Sequence, residues 1–279
     1  MLTAARATTQ AANTGQPMPE VAWMRDVYDV MGGTGPKLGQ VTMVAGMPGS
    51  MKSLFVHMWV CDTGLPALVF SADQDASETI TRLACHATGQ SRKSVEEAFR
   101  LGQDAFYREK MSEYPIVFDF EAAPSLDSVE DGINAYVEAM DVYPGVIVVD
   151  SLYSVYPDAE ADDSEHRSME SVLHFLQEIA RATGAAVIVC HHLSESAKGG
   201  PEVPGPRASI IGKVNRIPEC IFTVAFAPTE GLFRVAPVKV RGGKADPSGA
   251  LYASLKVIPE TSTFERYNPM TAGFWQGVS

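Results

Sequence analysis

A lysine and a serine side by side, Lys52 and Ser53, close the run VTMVAGMPGSMKS, Val41 to Ser53. The spacing fits the pattern G-x-x-x-x-G-K-[ST] at Gly46, Lys52 and Ser53, with Met51 where the second glycine belongs. The chemistry implied is phosphate binding. A tight loop built from Gly46, Pro48, Gly49, Ser50 and Met51, together with the helix start behind it, turns backbone N–H groups toward phosphate oxygens. The Lys52 ammonium then offsets β/γ charge, and the Ser53 hydroxyl helps hold Mg²⁺. Mg-ATP is the expected ligand. Met51 matters because left-handed geometry in a non-glycine residue costs roughly 1–2 kcal/mol; if the position does not demand positive φ, methionine costs little.

Three further strand ends carry reactive side chains. GVIVVDSL ends a buried run at Asp150, placed to hold Mg²⁺ through water or through Ser53, with capping of the following turn as the alternative. ALVFSADQDASE brings Asp73 and Asp75 to the end of another strand. A carboxylate there can polarise an attacking water, and Asp73 is the candidate base, whereas Asp75 or Ser77 suits the cap of the next helix. AAVIVCHHLSES delivers His191 and His192, which must point to opposite sides of a strand. One of them can touch the γ-phosphate. Neither has a cysteine or carboxylate at metal-site spacing, so no zinc site is expected.

Lys239 and Arg241, in VAPVKVRGGK, lie two residues apart on one strand face before a Gly-Gly turn. Two cations so placed can serve as phosphate-charge reagents, an arginine finger among them. They can equally be the charged guard of an edge strand.

These residues need elements to position them. From Gln40 onward, apolar strands alternate with helices. Strands are expected at Val41–Ala45, Pro66–Ser71, Pro115–Phe120, Gly145–Asp150, Ala185–Cys190, Cys220–Phe226, Leu232–Val240 and Leu251–Ile258. Helices are expected at Lys52–Cys61, Ser77–Ala87, Leu126–Met140 and Arg167–Ala182. Unbroken runs such as Val146-Ile147-Val148-Val149 predict strands buried on both faces, as in a parallel sheet flanked by helices. The strand-rich final third predicts antiparallel C-terminal strands. Long loops are expected at Tyr156–Glu165 and Leu193–Pro206. Residues 1–22 read as a flexible N-terminal arm and 23–37 as a short linker with a helix, leaving 38–279 as one domain.

Composition narrows the function. The 279 residues carry 22 Lys+Arg against 34 Asp+Glu, a net charge of −12, which excludes a protein that coats nucleic acid by bulk positive charge. No apolar stretch reaches the ~18–20 residues of a membrane span. No secretory leader pattern opens the chain, so a cytoplasmic location is expected. Cys61, Cys85, Cys190 and Cys220 sit in apolar runs and read as small core residues.

Taken together, the five motifs resemble the RecA-like ATPase core of DnaB-type hexameric helicases and plasmid RepA helicases, over roughly Leu38 to Ile258. The resemblance implies an α/β P-loop NTPase fold, with 38–279 as the ATPase domain. Lys52 and Ser53 match the family's Walker A, and Asp150 its Walker B aspartate. Asp73 falls where the family has a glutamate, one methylene longer. His192 falls on the sensor position, and Lys239 and Arg241 match the K-x-R finger motif. Leu193–Pro206 falls where such proteins keep a DNA-binding loop, with Lys198 its only cation. The loop with Asp158, Glu160, Asp162, Asp163 and Glu165 is acidic where a DNA contact would be expected. The implied function is an ATP-driven motor on single-stranded DNA in replication or recombination, working as a ring, a hexamer by analogy, with catalysis completed in trans. Two alternatives stay open. One is a metal-dependent nuclease or recombination ATPase on the same core, and the other an ATP-switched regulatory oligomer that does not touch DNA.

Overall fold

The structure is a computed structural model, and it describes residues 15–156, 165–194 and 200–268. Nine strands form one sheet: β1 Val41–Gly46, β2 Ala67–Ser71, β3 Ile116–Asp119, β4 Val146–Asp150, β5 Ala186–His192, β6 Cys220–Ala227, β7 Leu232–Val240, β8 Ala253–Ile258 and β9 Thr263–Arg266. Their order is β3-β2-β4-β5-β1-β6-β7-β8-β9. The first six in that row run parallel, and β7, β8 and β9 extend the sheet antiparallel. The fold class expected from the strand patterns is the one observed.

Seven α-helices accompany the described sheet: α1 Arg25–Val30, α2 Lys52–Thr63, α3 Ala76–Thr88, α4 Arg92–Arg100, α5 Ala105–Met111, α6 Leu126–Met140 and α7 Glu165–Thr183. Alternation along the strands divides the core in two. Val44, Val69, Val148 and Ile188 face α1 and α2, while Met43, Leu68, Ile147 and Val189 face α6 and α7. Both faces are covered, which is why these strands read as continuous apolar runs. Asp75, Ser91 and Ser125 cap α3, α4 and α6, each accepting a backbone N–H three residues on. The four cysteines are buried and unpaired. Burial pushes their thiols up, Cys190 well above the ordinary value.

The N-terminal region departs from expectation. Residues 15–22, expected within a flexible arm, are packed: Met18 and Val21 are buried, and Gly15 and Met18 donate backbone bonds to Leu38 and Pro36. Residues 23–37 hold the expected helix, α1, but are part of the core rather than a linker, with Met24, Val27 and Met31 fully buried. The reason lies in α2, whose residues from Lys52 to Cys61 are all buried. A helix buried all round needs a second layer over it. Trp23 supplies that layer by stacking on Phe264, with Phe55 against both rings, and its Nε1 donates to Asp62 at 2.7 Å. Residues 1–14 lie outside the described part.

Helices α4 and α5 and strand β9 are additions to the elements expected from the sequence. The two helices form a small satellite core with α3, around Ala84, Cys85, Val95 and Tyr107.

Candidate nucleotide-binding site

Strand order builds the site. β2, β4, β5 and β1 are consecutive neighbours, with Ser71 level with Asp150 and Gly46 level with His192. Their carboxyl ends therefore present Asp73, Asp150, His192 and the Gly46 loop along one edge, about 14 Å from end to end at the usual strand spacing. Ligands of open α/β sheets bind at this edge.

The loop is shaped as the pattern requires. A Cβ on Gly46 would lie 2.3 Å from Ser50 Oγ and 3.0 Å from Val224 Cγ2, so only glycine fits. Gly49 has φ +77°. Met51 has φ 63° and ψ 21°, so the position does demand left-handed geometry and methionine adopts it. Its side chain packs on the core in partial recompense. Lys52 and Ser53, both buried, begin α2, and Ser50 Oγ is buried without a partner among the described residues.

Asp150 is fully buried, and neither carboxylate oxygen has a hydrogen-bond partner among the described residues. A buried carboxylate is costly unless a cation or donor meets it. The hard oxygen donors of Asp150 and Ser53 suit Mg²⁺. His57, one turn beyond Ser53 on α2, brings its Nε2 to 3.7 Å from Asp150 Oδ2. Burial pulls the His57 imidazole below its usual pKa, against the opposing charge of Asp150.

Asp73 is held in place by the turn after β4. Ser154 Oγ donates to Asp73 Oδ1 at 2.8 Å and Ser151 Oγ at 3.2 Å, while the backbone N–H groups of Ala72 and Asp73 donate to Asp150 O. The other oxygen, Oδ2, lies 3.9 Å from His192 Nε2. Burial and then the Lys52 charge hold His192 below its usual pKa, so it stands neutral beside the loop. His191 points to the opposite face, where Nε2 meets Ile211 O at 3.0 Å and burial pushes its pKa down to about 4. Asp75 is committed to capping Glu78 N–H at 2.8 Å. Among the described residues, no three His, Cys, Asp or Glu side chains converge as a metal cluster.

Lys239 and Arg241 lie elsewhere. Val235 is level with Val224 and hence Gly46, and Val240 is level with Cys220 and hence Thr42. Arg241 therefore lies at the amino edge of the sheet, about 16 Å along and two strand spacings across from its own loop. The two cations also differ in state. Lys239 Nζ donates to the carbonyls of Asn215 at 3.1 Å and Arg216 at 2.7 Å, and burial lowers its pKa. Arg241 is 66% exposed, 4.0 Å from Glu219. Lys198 and the acidic residues Asp158, Glu160, Asp162 and Asp163 fall outside the described residues.

Several contributors carry no sequence signal. His57 sits inside an apolar helix pattern. Ser151 and Ser154 have ordinary turn chemistry. Glu219 is buried, its Oε2 accepting Val41 N–H at 3.0 Å and its Oε1 the Gln177 amide at 2.9 Å. Beside Met51 opens a cavity of about 310 Å³ whose lining includes Leu54, Arg82 and Arg92. Glu78 holds the two arginines together, 2.7 Å from Arg82 and 2.6 Å from Arg92.

The AAA domain family matches residues 27–198. The Gene 65 protein of Mycobacterium phage L5 is 34% identical over 256 residues, covering 89% of this chain and 92% of that protein. That of Mycobacterium phage D29 is 34% identical over 227 residues, covering 79% and 97%. In three dimensions a DnaB-like replicative helicase superposes with a TM-score of 0.75 at 17% identity, over 95% of this chain and 67% of that one. A separately solved ATPase domain gives the same TM-score and identity over 95% of this chain and 97% of that one. At this identity the likeness is one of fold, the RecA-like ATPase fold of the DnaB type. No helix among the described residues is long and apolar enough to cross a membrane. A phosphate loop read in sequence, a strand order that gathers its partners, and the matches in sequence lead to one statement: the chain belongs to the AAA domain family and groups with the Gene 65 proteins of mycobacteriophages L5 and D29.

Proposed function

We propose that the protein is an ATPase that hydrolyses Mg-ATP and couples hydrolysis to movement along single-stranded DNA, as a ring in which neighbours complete one another's sites. The observation that carries the nucleotide chemistry is the single edge on which Lys52, Ser53, Asp150, His192 and Asp73 meet. Lys52 and the N–H groups of the loop bind the β- and γ-phosphates. Ser53 and Asp150 would hold Mg²⁺, which when bound offsets the phosphate charge. Asp73, steadied by Ser151 and Ser154, orients the attacking water and takes its proton as the bond from the γ-phosphorus to the bridging oxygen breaks. Neutral His192 donates to the γ-phosphate and senses its departure.

Arg241 is too far from its own loop to help, and its exposure suits it to a neighbour's γ-phosphate. Lys239, tied to the Asn215 and Arg216 carbonyls, steadies the strand end that presents it. The ring and the DNA substrate rest on the likeness to DnaB-type domains.

The test is steady-state ATPase with and without single-stranded DNA, on wild type and Lys52→Ala. Several-fold stimulation by DNA that vanishes in the variant supports the motor. Hydrolysis indifferent to DNA overturns the DNA assignment and leaves an ATP-switched oligomer; absence of hydrolysis overturns the ATPase.

A further inference from the structure

We propose that His57 positions the Asp150 carboxylate, fixing which of its oxygens is offered to the divalent cation that accompanies the nucleotide. The inference rests on the nucleotide site proposed above and deepens it.

Residues Leu54, Phe55, Val56, Met58, Trp59 and Val60 around it on α2 are apolar and buried. An imidazole at the same depth is out of keeping with them and costs desolvation unless its polar atoms are used. His57 is 2% exposed and Asp150 0%, and among the described residues His57 Nε2 and both Asp150 carboxylate oxygens have no hydrogen-bond partner. The two residues face each other across 3.7 Å. The ring of Phe118 stands edge-on to the imidazole at 5.9 Å and closes that side.

The geometry selects the tautomer. With the proton on Nε2, the ring directs a donor at Oδ2; with the proton on Nδ1, a lone pair would oppose the carboxylate. An approach of under about 1 Å brings the pair to hydrogen-bond length. Oδ2 is then held by the ring, which leaves Oδ1 for the cation; the buried Cys190 thiol, which also bears on Asp150, is the other donor beside the carboxylate. His57 follows Ser53 by four positions, so the hydroxyl and the imidazole lie on the same side of α2, one turn apart. One helix thus supplies both a cation ligand and the group that orients the other ligand.

The test uses the full chain with Mn²⁺ as probe, reading free Mn²⁺ by its paramagnetic resonance signal in the presence of ADP. His57→Leu should weaken Mn²⁺ binding by about tenfold or more, the usual effect of losing a partner behind a metal ligand. ADP affinity in EDTA should be unchanged, and the melting temperature should not fall. His57→Gln, which keeps a donor near the position of Nε2, should recover Mn²⁺ affinity to within about threefold of wild type. Mn²⁺ affinity equal to wild type in His57→Leu overturns the proposal, as does a glutamine variant no better than leucine. If His57→Leu does not fold, His57→Gln is compared with His57→Met, and equal Mn²⁺ affinities overturn it. Failure of the underlying site looks different: wild type itself then holds no Mn²⁺ with ADP, Lys52→Ala changes nothing, and both proposals fall together.

Discussion

Met51 stands where the phosphate-loop pattern has glycine, at φ 63° and ψ 21°. The backbone has therefore taken glycine's conformation with a side chain attached, at a cost of about 1–2 kcal/mol. Met51→Gly removes that strain. It also releases about 0.5–1 kcal/mol of extra backbone entropy to the unfolded chain. The methionine side chain is half-buried against the core, and half the value of full burial is about 1 kcal/mol. Gain and losses nearly cancel, so the melting temperature of Met51→Gly should stay within about 3 °C of wild type. A β-branched residue tolerates left-handed geometry worse still, so Met51→Val should lower it by about 4 °C or more. Because the loop already holds its shape, Met51→Gly should change the affinity for Mg-ADP by less than about threefold, roughly 0.6 kcal/mol. Differential scanning fluorimetry and calorimetric titration with ADP read both quantities. A gain of tenfold or more in affinity would refute the reasoning, because it would mean that methionine distorts the loop rather than adopting glycine's conformation within it.

Arg241→Ala should reduce hydrolysis by about a thousandfold while leaving ADP affinity unchanged, and mixing it with Lys52→Ala should restore part of the rate, because a mixed ring contains intact pairs of loop and finger; no recovery on mixing counts against action in trans. Glu219→Ala strips the partners from Val41 N–H and the Gln177 amide, so chemical denaturation should show a loss of about 2–3 kcal/mol. His191 makes the fold sensitive to acid. Its folded pKa of about 4 lies below the unfolded 6.5, so its contribution is complete above pH 6.5 and is lost as pH falls through about 4. The shift is worth about 3 kcal/mol. Melting curves between pH 7 and 4.5 should flatten in His191→Asn, which keeps a donor for Ile211 O; an unchanged acid limb would assign the sensitivity to other groups.

The parts of this molecule that can be read from sequence are those whose physics is local. The phosphate loop is eight contiguous residues between two apolar runs, so Lys52 and Ser53 are placed without any knowledge of the fold. Asp150 and Asp73 are visible as carboxylates ending apolar runs. The unexpected elements lack such a signal. Among the residues of α4 and α5 only Val95 and Tyr107 are buried, too few to set a period, and β9 is four residues long. Met18 and Val21 are two apolar residues in a polar stretch, and nothing nearby says that α2 needs a second cover. The choice between His191 and His192 shows where local inference ends. Alternation requires that they diverge, but which one joins Lys52 depends on which side of β5 faces α2. Ala186, Ile188 and Cys190 face α2, and His192 shares their parity. That assignment follows only from pairing β5 between β1 and β4, strands more than a hundred residues apart in sequence. Lys239 and Arg241 make the same point in reverse. Their spacing suggests one shared role, yet the carbonyls of Asn215 and Arg216, brought up by a distant segment, engage the first and leave the second exposed. A motif names candidate reagents, and long-range pairing decides which of them reach the site.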